Sequence, residues 1–493
     1  MKIEEETVVN QWLKEQPWKS CIYTGKWTKN GRETIAVDEP AKQMWLTEVG
    51  SAGEEDIRRA AKDASRAGMA WAMIAAREKA DVFLKAANFL QTHFTSFSEI
   101  VARETGGARF KGEHEVRECI TLLKLAAGMA LQPHGITLPD DEGKLSFAKR
   151  KPIGVVGVIS PFNFPMVLST RSVAPALATG NAVISKPDPR TPLSGGFLLA
   201  LALEHAGLPA GTYQVLPGYG DAGNALCTSN EVGMIAFTGS THAGRLVGET
   251  CGRHLKKVSL ELGGKSALII LDDADIDIAA SNIAWGAFLH QGQICMASGR
   301  ILVHRSIAKE VIAKIVGRAK TLSYGDLDSQ CPISSLISAQ QLEKVSKIVE
   351  DSVEAGAIVQ CGGYHEGLFY APTVLTDVSP GMRCFEEEIF GPVVNIVTYD
   401  TDEEAIELAN SGDYGLAGAV ISNDLTRAMQ IGAQLEVGLL HINDQTVNDN
   451  CCNPFGGFKS SGNGSAVCGP ADWDLYTHWQ WQTISPKAQL KPF

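Results

Sequence analysis

Alternating apolar and polar stretches divide the chain into short predicted strands and longer predicted helices. Residues 153–159 are almost wholly apolar and β-branched, which is typical of a strand covered on both faces. Similar short runs follow at residues 182–185, 213–216, 234–237 and 258–260, with helical or turn segments between them. Strand, helix and strand in repetition predict an α/β fold with a doubly wound, Rossmann-like parallel sheet.

Two helices are predicted ahead of the first of these strands. Residues 51–54 (Ser-Ala-Gly-Glu) have the spacing of a capping box, which indicates a helix that runs to about Met73. The second helix carries its predicted buried face at Ala80, Phe83, Leu84, Ala87 and Leu90. We expect both to be outer helices of the α/β unit.

The alternation starts again after Gly264. Strands are predicted at residues 267–271 and 301–304, and helices at residues 276–288 and 307–322. This pattern indicates a second α/β unit that ends near Gly464. The tail that follows has clustered aromatic residues, which favour a strand that packs on a partner subunit.

Composition narrows the class of protein. Of the 493 residues, 44% are hydrophobic and 20% are charged, which fits a globular chain and excludes a disordered or fibrous one. The net charge of −12 argues against a nucleic-acid partner, which needs a basic face. The apolar runs are too short for a membrane span. Residues 1–6 are acidic and lack the apolar core of a secretory leader, so we expect a cytoplasmic protein.

The cysteines fit that compartment. There are eleven of them, an odd number, and no Cys-x-x-Cys pair occurs. Neither a disulfide framework nor a metal site is therefore expected. Each cysteine taken alone is best explained as a small buried hydrophobic residue, and a reactive one has to be identified by its neighbours.

Three residues have surroundings that suit carbonyl chemistry. Cys295 lies between a predicted helix and the next strand, where its thiolate could attack a carbonyl carbon. Glu261 ends a strand near two glycines and could act as a general base, although a solvated carboxylate is the better explanation of this residue taken alone. Asn163 lies between Pro161 and Pro165, where a fixed amide could donate to an oxyanion or simply stabilise a turn.

Two glycine-containing segments could bind phosphate. At residues 237–244 a strand runs into Gly239-Ser240-Thr241 and a helix follows, which suits an anion but also an ordinary serine N-cap. Residues 218–223 match Gly-x-Gly-x-x-Gly, yet the next strand leaves room for only a short helix, so a tight turn is the better interpretation. Lys186, after the second strand, could present its ammonium group to a ribose or to solvent.

Taken together and in this order, the segments resemble the NAD(P)-dependent aldehyde dehydrogenase superfamily over nearly the whole chain. The resemblance rests on the motifs at residues 161–165, 186–187, 239–241, 261–265, 292–295, 387–392 and 454–459. Within that superfamily the chain is similar to bacterial benzaldehyde and related aryl-aldehyde dehydrogenases. The segments behind this second likeness are residues 186–191, 290–296 and 443–449.

The resemblance implies an enzyme that oxidises an aromatic aldehyde through a thiohemiacetal and a thioester. Cys295 would be the nucleophile, Asn163 an oxyanion donor and Glu261 the base. Residues implied to bind the NAD cofactor are Ile159, Ser160, Pro161, Phe162, Lys186, Gly239, Ser240, Glu388 and Phe390. Residues implied to surround the aldehyde are Phe164, Arg171, Ile294, Met296 and Phe455, with the loop 446–452. Arg171 should point outward or meet a carboxylate.

The resemblance also implies a division into three parts. Residues 1–129 and 153–263 would form the dinucleotide-binding domain, and residues 264–464 the catalytic domain with the nucleophilic cysteine. Residues 130–152 and 465–493 would form a small β element for assembly into a homodimer or homotetramer. The expected partner beyond that is a small-molecule aldehyde.

Two departures from the superfamily pattern affect these expectations. Many members have a glutamate three residues after the ribose-binding lysine, where it repels a 2′-phosphate, but this chain has Pro189 there. NAD is still favoured, with NADP as the alternative. Residues 462–466 read Gly-Asn-Gly-Ser-Ala where many members continue Gly-x-Gly-Arg-Glu, so a second carboxylate that relays protons is not expected there.

Rival readings of the same chain stay open. One is a different dehydrogenase of the same fold. It could be a coenzyme-A-acylating enzyme, in which a thiol replaces water, or an aliphatic semialdehyde dehydrogenase, in which another aldehyde replaces the aryl aldehyde. Against the acylating enzyme stands Glu261, because discharge by a thiol needs no general base. The other is a non-catalytic, crystallin-like binding protein, which the joint presence of Cys295, Asn163 and Glu261 disfavours.

Overall fold

The structure is a computed structural model. It describes residues 13, 17–140, 143–329, 331–488, 490, 491 and 493. The acidic segment 1–6, on which the expectation of no secretory leader rests, lies outside these residues. Among the described helices, none combines the length and the apolar character that crossing a membrane requires.

The first half of the fold is a seven-stranded sheet. Its strands lie in the order Lys257–Glu261, Val232–Thr238, Val155–Ile159, Ala182–Lys186, Tyr213–Val215, Ile22–Tyr23 and Trp27–Thr28. The first five are parallel, which confirms the predicted parallel sheet, and the last two are antiparallel. All five residues of the central strand Val155–Ile159 are buried, as a strand covered on both faces requires.

Helices cover both faces of this sheet. Their bounds are Glu54–Met73, Ala76–Thr92, Phe94–Thr105, Arg109–Ala130, Pro165–Ala178, Leu198–His205, Gly220–Thr228 and Thr241–Arg253, with a π-helical turn at Leu193–Phe197. Two details differ from expectation. The first helix is capped by Gly53, whose backbone N–H donates to Asp56 at 3.1 Å, rather than by Ser51 and Glu54. Leu84 is 44% exposed, because it lies at the edge of the buried face of its helix.

The second half contains another seven-stranded sheet. Its strands lie in the order Ile358–Cys361, Thr373–Thr376, Val393–Tyr399, Ser298–His304, Ser266–Ile270, Ala417–Ile421 and Leu439–Ile442. The first two strands in this order are antiparallel to each other, and all the other neighbouring strands are parallel. The helices are Ile276–Phe288, Arg305–Thr321, Ala339–Glu354, Arg383–Glu386, Asp402–Asn410 and Leu425–Gly432, with short 3₁₀ turns at Leu289–Gly292 and Leu327–Ser329.

A smaller antiparallel sheet joins the two segments expected to mediate assembly. Strand Thr477–Ile484 pairs with Leu145–Pro152, which also pairs with Gly135–Thr137. The tail strand therefore pairs within its own chain. The remaining elements are two-stranded ribbons and one short helix: Thr34–Glu39 with Met44–Gly50, His365–Glu366 with Phe369–Tyr370, Tyr414–Gly415 with Phe458–Lys459, and Ala471–Leu475.

The largest hydrophobic core extends from the first sheet into the second half of the chain. It includes Ile294, Met296 and Phe455 together with Val158 and Met166. Residues on both sides of position 264 are therefore packed in one cluster. The boundaries of the three proposed parts remain predictions. The hydrophobic cluster packs residues of both halves of the chain against one another.

Candidate active site

Two cavities meet at Cys295. The larger has a volume of about 470 Å³ and the smaller about 310 Å³. Three residues, Asn163, Leu168 and Cys295, line both. Five of the residues expected around the aldehyde line the larger cavity: Phe164, Arg171, Ile294, Met296 and Phe455. Of the expected loop 446–452, residues 447–449 line it and the others do not. All those expected around the cofactor line the smaller one: Ile159, Ser160, Pro161, Phe162, Lys186, Gly239, Ser240, Glu388 and Phe390.

Cys295 is presented by an unusual turn. His290, Gln291 and Gly292 follow one another with φ of 44°, 54° and 67°, a left-handed conformation that is costly for the first two. The side chain of Gln291 holds this turn, because its amide donates to the backbone oxygens of Gly106 at 2.7 Å and Ser335 at 2.9 Å. A strained but anchored turn keeps the following thiol in one position between the cavities.

Burial and nearby charges decide how readily the Cys295 thiol ionises. Desolvation and the carboxylate of Glu388 together raise its pKa to about 12, and the cation of Arg171 opposes both. Because the thiolate is the attacking species, its reactivity depends on added positive charge at the site.

Asn163 lies between strand Val155–Ile159 and helix Pro165–Ala178, and it is 3% exposed. The start of that helix is fixed by the buried carboxylate of Glu115, which accepts from the backbone N–H groups of Met166 at 2.9 Å and Val167 at 3.1 Å. The Asn163 side chain is thus held at the junction of the two cavities, where an amide N–H can donate to an oxygen of a substrate bound at Cys295.

Glu261 ends strand Lys257–Glu261 and is 5% exposed. Neither of its carboxylate oxygens has a hydrogen-bond partner among the described residues. Burial raises its pKa well above the ordinary value, Arg171 lowers it, and Asp449 raises it. Glu261 is not among the residues that line either cavity, but its charge raises the pKa of Cys295, so the two groups are close enough to interact.

The smaller cavity has the donors and glycines that a dinucleotide requires. Ser240 caps helix Thr241–Arg253, where its hydroxyl accepts from the N–H of Ala243 at 3.3 Å. The N-cap explanation of this segment is therefore confirmed, and the phosphate site stays a prediction that the helix N-terminus suits. Ser160 Oγ, also on the cavity wall, is buried and has no hydrogen-bond partner among the described residues.

Two charged residues also line this cavity. The ammonium group of Lys186 donates to the backbone oxygen of Gly218 at 2.8 Å, and burial lowers its pKa. Glu388 accepts from the N–H of Gly264 at 3.2 Å, and burial raises its pKa. A Cβ on Gly263 would lie 2.7 Å from the Glu388 carboxylate, so only glycine leaves that carboxylate its place. In the Gly-x-Gly-x-x-Gly segment at residues 218–223, the helix is as short as expected, with nine residues, but it begins at Gly220, so the last four residues of the segment are helical and do not form the expected tight turn.

Phe390 completes the cavity wall. Its φ of 59° is left-handed, and its ring meets that of Phe162 edge-on at 5.7 Å. The guanidinium of Arg190 lies over the ring of Phe162, at 4.1 Å from its centroid. The cavity thus offers a flat aromatic surface, hydroxyls, backbone N–H groups and one carboxylate, which together fit a dinucleotide.

Sequence reasoning missed several residues of the site. Asp188 lines the smaller cavity and binds Arg190 in a bidentate pair at 2.8 and 2.7 Å. Lys111 lines the larger cavity, with its ammonium group 5.1 Å from the centroid of Phe164. A signal was present for Lys111, because it and Glu115 occupy the inward stripe of a helix at i and i+4, where charges are rare.

Arg171 takes the second of its two expected placements. It meets a carboxylate, that of Asp449, through its Nη2, and it is 5% exposed. Its guanidinium also lies 4.9 Å from the centroid of Phe455. Among the residues that the structure describes, no group of His, Cys, Asp and Glu could hold a metal ion.

Comparisons with known proteins agree with this arrangement. A family model described as the aldehyde dehydrogenase family matches residues 27–482. The chain is 43% identical to a vanillin dehydrogenase of Amycolatopsis sp., over 98% of this chain and 99% of that protein. It is 44% identical to the benzaldehyde dehydrogenase [NAD(+)] of Pseudomonas putida, over 97% and 99%. A crystal structure of a salicylaldehyde dehydrogenase from Pseudomonas putida G7, complexed with salicylaldehyde, superposes with a TM-score of 0.92 at 34% identity, over 96% and 99%.

Proposed function

Because this chain belongs to the aldehyde dehydrogenase family, we propose that it oxidises aromatic aldehydes to carboxylic acids with NAD⁺. The observation that carries the proposal is the position of Cys295, whose thiol lies where a mostly apolar cavity meets a cavity suited to a dinucleotide. The named activities of the similar proteins support it, since vanillin, benzaldehyde and salicylaldehyde are all aromatic aldehydes.

The first half of the reaction uses Cys295 and Asn163. The thiolate of Cys295 forms a bond to the aldehyde carbon, and the carbonyl oxygen becomes an oxyanion. The side-chain amide of Asn163 and the backbone N–H of Cys295 donate to that oxyanion. When bound, NAD⁺ supplies the acceptor for the hydride that leaves the same carbon, so a thioester of Cys295 remains. Ser240 and the helix it caps would hold the pyrophosphate, and Lys186 and Glu388 the ribose hydroxyls.

The second half uses Glu261. Its carboxylate removes a proton from a water molecule, whose oxygen bonds to the thioester carbon while the carbon–sulfur bond breaks. The carboxylic acid leaves, and the thiolate of Cys295 is restored. Burial suits this role, because it raises the pKa of Glu261 and makes its carboxylate a stronger base than an exposed one.

The larger cavity favours a ring. Its wall includes the apolar or aromatic side chains of Phe164, Val167, Ile294, Met296 and Phe455. Its volume of about 470 Å³ exceeds the roughly 150 Å³ of an engineered cavity that binds benzene, so a substituted arene has room. Arg171 adds no free charge, since Asp449 neutralises it.

The residues of the smaller cavity favour NAD over NADP. Pro189 removes the carboxylate that many members use against a 2′-phosphate, but the carboxylate of Asp188 lines the same cavity. Asp188 also holds Arg190 in a bidentate pair, so that cation is not free to bind a phosphate. Like charge repels a 2′-phosphate, and the similar enzyme of Pseudomonas putida is named for NAD(+).

The decisive experiment measures NADH formation by the purified protein with aromatic and aliphatic aldehydes and with both cofactors. Benzaldehyde with NAD⁺ should give the highest kcat/KM. No NADH with any aldehyde would favour the non-catalytic alternative. Formation of an acyl-coenzyme A from benzaldehyde and coenzyme A would instead favour the acylating alternative.

We further propose a homodimer or homotetramer in the cytoplasm. The small antiparallel sheet leaves Ile136, Leu145, Trp481 and Ile484 between 53% and 70% exposed, an apolar surface that assembly through residues 130–152 and 465–493 would cover. All eleven cysteines are free, which suits a reducing compartment. Light scattering after size-exclusion chromatography measures the mass, and a monomer would contradict the assembly.

A further inference from the structure

His290 carries unsatisfied hydrogen-bonding atoms at the larger cavity. It lines that cavity and is 1% exposed, and neither of its ring nitrogens has a hydrogen-bond partner among the described residues. A buried donor or acceptor that is left unpaired lowers the stability of a protein. A phenylalanine of similar shape would avoid that loss, so stability alone does not explain a histidine in this wall.

The surroundings of His290 favour its neutral form. Burial and the nearby cation of Lys111 hold the pKa of His290 well below its ordinary value. The backbone of Asn163 and the side chain of Gln291 lie near the ring and oppose this shift, but neither completes a hydrogen bond with it. A neutral imidazole has one donor and one acceptor nitrogen. A hydroxyl group, which both donates and accepts, can therefore pair with either nitrogen, whereas a methyl group cannot.

Lys111 provides a second donor at the same cavity. It lines the wall and is 2% exposed. Its Nζ forms an ion pair with Oε1 of Glu115 at 2.5 Å and donates to Oγ1 of Thr105 at 2.9 Å. An ammonium group has three N–H groups, so these two contacts leave one N–H for a ligand. Because the carboxylate of Glu115 balances the charge of Lys111, the pair suits an uncharged polar group better than an anion.

The side chains of Lys111 and His290 converge on one part of the wall. The ammonium group of Lys111 lies 5.1 Å from the ring centroid of Phe164, and the ring of His290 meets that of Phe164 edge-on at 5.2 Å. A Cβ on Gly107 would lie 3.0 Å from Cδ of Lys111 and 3.5 Å from Cε1 of His290. One residue belongs to a helix and the other to the strained turn Leu289–Gly292, yet together they form a polar patch beside an aromatic ring.

We propose that Lys111 and His290 form a specificity subsite that binds a hydroxyl group on the ring of the aldehyde. They select the substrate by hydrogen bonds and take no part in bond making at the aldehyde carbon. The inference rests on the proposed function, because it states which aromatic aldehydes that site prefers. A hydroxyl group at the right ring position should be favoured over a methyl group of similar size at the same position.

The test compares kcat/KM for hydroxybenzaldehydes and methylbenzaldehydes, paired at the ortho, meta and para positions, with NAD⁺. The ratio of hydroxyl to methyl substrate is measured in the unaltered protein and in His290→Phe, which keeps a ring but has no polar atom on it. At the position that faces the subsite, the ratio should fall about tenfold in the variant, which corresponds to about 1.4 kcal/mol. The electronic effect of each substituent on the carbonyl group is the same in both proteins, so it cancels. Displacement of Cys295 by the altered turn would act on both members of a pair and would cancel as well.

Three further variants separate the subsite from general effects. Lys111→Met removes the second donor, so the ratio should fall at the same ring position. His290→Asn keeps a polar side chain, so its ratio should stay closer to that of the unaltered protein than the ratio of His290→Phe does. Phe455→Leu changes an apolar part of the cavity wall and should leave the ratio unchanged.

The outcomes are distinguishable. An unchanged ratio in His290→Phe at all three positions, or an equal fall in Phe455→Leu, would overturn the subsite. An unchanged ratio in Lys111→Met would remove Lys111 from it. Absence of NADH formation by the unaltered protein with every one of these aldehydes would contradict the proposed function itself. Thermal unfolding reports whether each variant is folded, and if Lys111→Met is not, because Glu115 has lost its partner, the ratio in His290→Phe still decides.

Discussion

Removing the ring from the substrate tests the larger cavity most directly. An apolar surface gains about 25 cal/mol per Å² when it leaves water, so an arene that buries on the order of 100 Å² gains about 2.5 kcal/mol. The walls formed by Phe164, Ile294, Met296 and Phe455 supply the apolar contacts. At about 1.4 kcal/mol per factor of ten, benzaldehyde should exceed acetaldehyde about sixtyfold in kcat/KM if the gain is kept in the transition state.

Phe455→Leu separates the flat aromatic contact from simple apolar burial. Phe455 is 4% exposed on the cavity wall, and leucine keeps an apolar side chain there. An aromatic pair contributes about 1 kcal/mol beyond its buried area, so the variant should lose about fivefold in kcat/KM with benzaldehyde and little with acetaldehyde. Initial rates of NADH formation, followed by absorbance at saturating NAD⁺, give kcat/KM for each aldehyde in the variant and in the unaltered protein. Thermal unfolding checks that the variant is folded.

Specific results would refute this reasoning. Equal kcat/KM values for the two aldehydes would show that the cavity does not bind the ring in the transition state. A preference for a charged semialdehyde, such as succinic semialdehyde, would assign the cavity to a carboxylate, with Arg171 as the first candidate to bind it. An equal loss for both aldehydes in Phe455→Leu would indicate general damage to the site.

Four further outcomes are expected. Cys295→Ala should abolish NADH formation while the affinity for NAD⁺ measured by calorimetry stays nearly unchanged; turnover above a few per cent would contradict its role as nucleophile. Glu261→Gln should give one equivalent of NADH in a burst and then stall, and rapid-mixing traces with full turnover would exclude it as the base. Asp188→Asn should raise the ratio of NADP to NAD efficiency about tenfold or more, because it removes a like charge and frees Arg190; an unchanged ratio would exclude that role. The burst rate should rise with pH through the alkaline range, since desolvation raises the pKa of Cys295 to about 12 and only the thiolate attacks; a rate that falls with pH would contradict this.

The parallel sheets could be predicted because buried strands leave a strong local signal. Residues 153–159 and 182–185 are continuous apolar runs, and both correspond to central strands of the first sheet. The antiparallel strands Ile22–Tyr23 and Trp27–Thr28 gave no such signal, because two-residue strands have no periodicity. Ile22–Tyr23 joins the sheet by pairing with Tyr213–Val215, and Trp27–Thr28 joins it by pairing with Ile22–Tyr23.

The candidate site likewise contains residues that the sequence predicts and contacts that it does not. Motifs of adjacent residues, such as those around Asn163 and Cys295, could be identified from the chain alone. Arg171 and Asp449 are 278 residues apart, and nothing local in the sequence indicates that they pair. The left-handed conformation of His290 and Gln291 was likewise unpredictable, since neither residue is a glycine and the anchoring carbonyls belong to distant segments.

The meeting of two cavities at one thiol has a consequence for chemical modification. Cys295 can be reached by an aryl-bearing reagent through the larger cavity and by a nucleotide-like reagent through the smaller one. A molecule bound in one cavity shields the sulfur from that side only. An inhibitor that joins an arene to a nucleotide would have to run past Cys295, Asn163 and Leu168, the residues shared by both walls. The space at these three residues, in addition to the affinity of each cavity, therefore limits the linker such an inhibitor can carry.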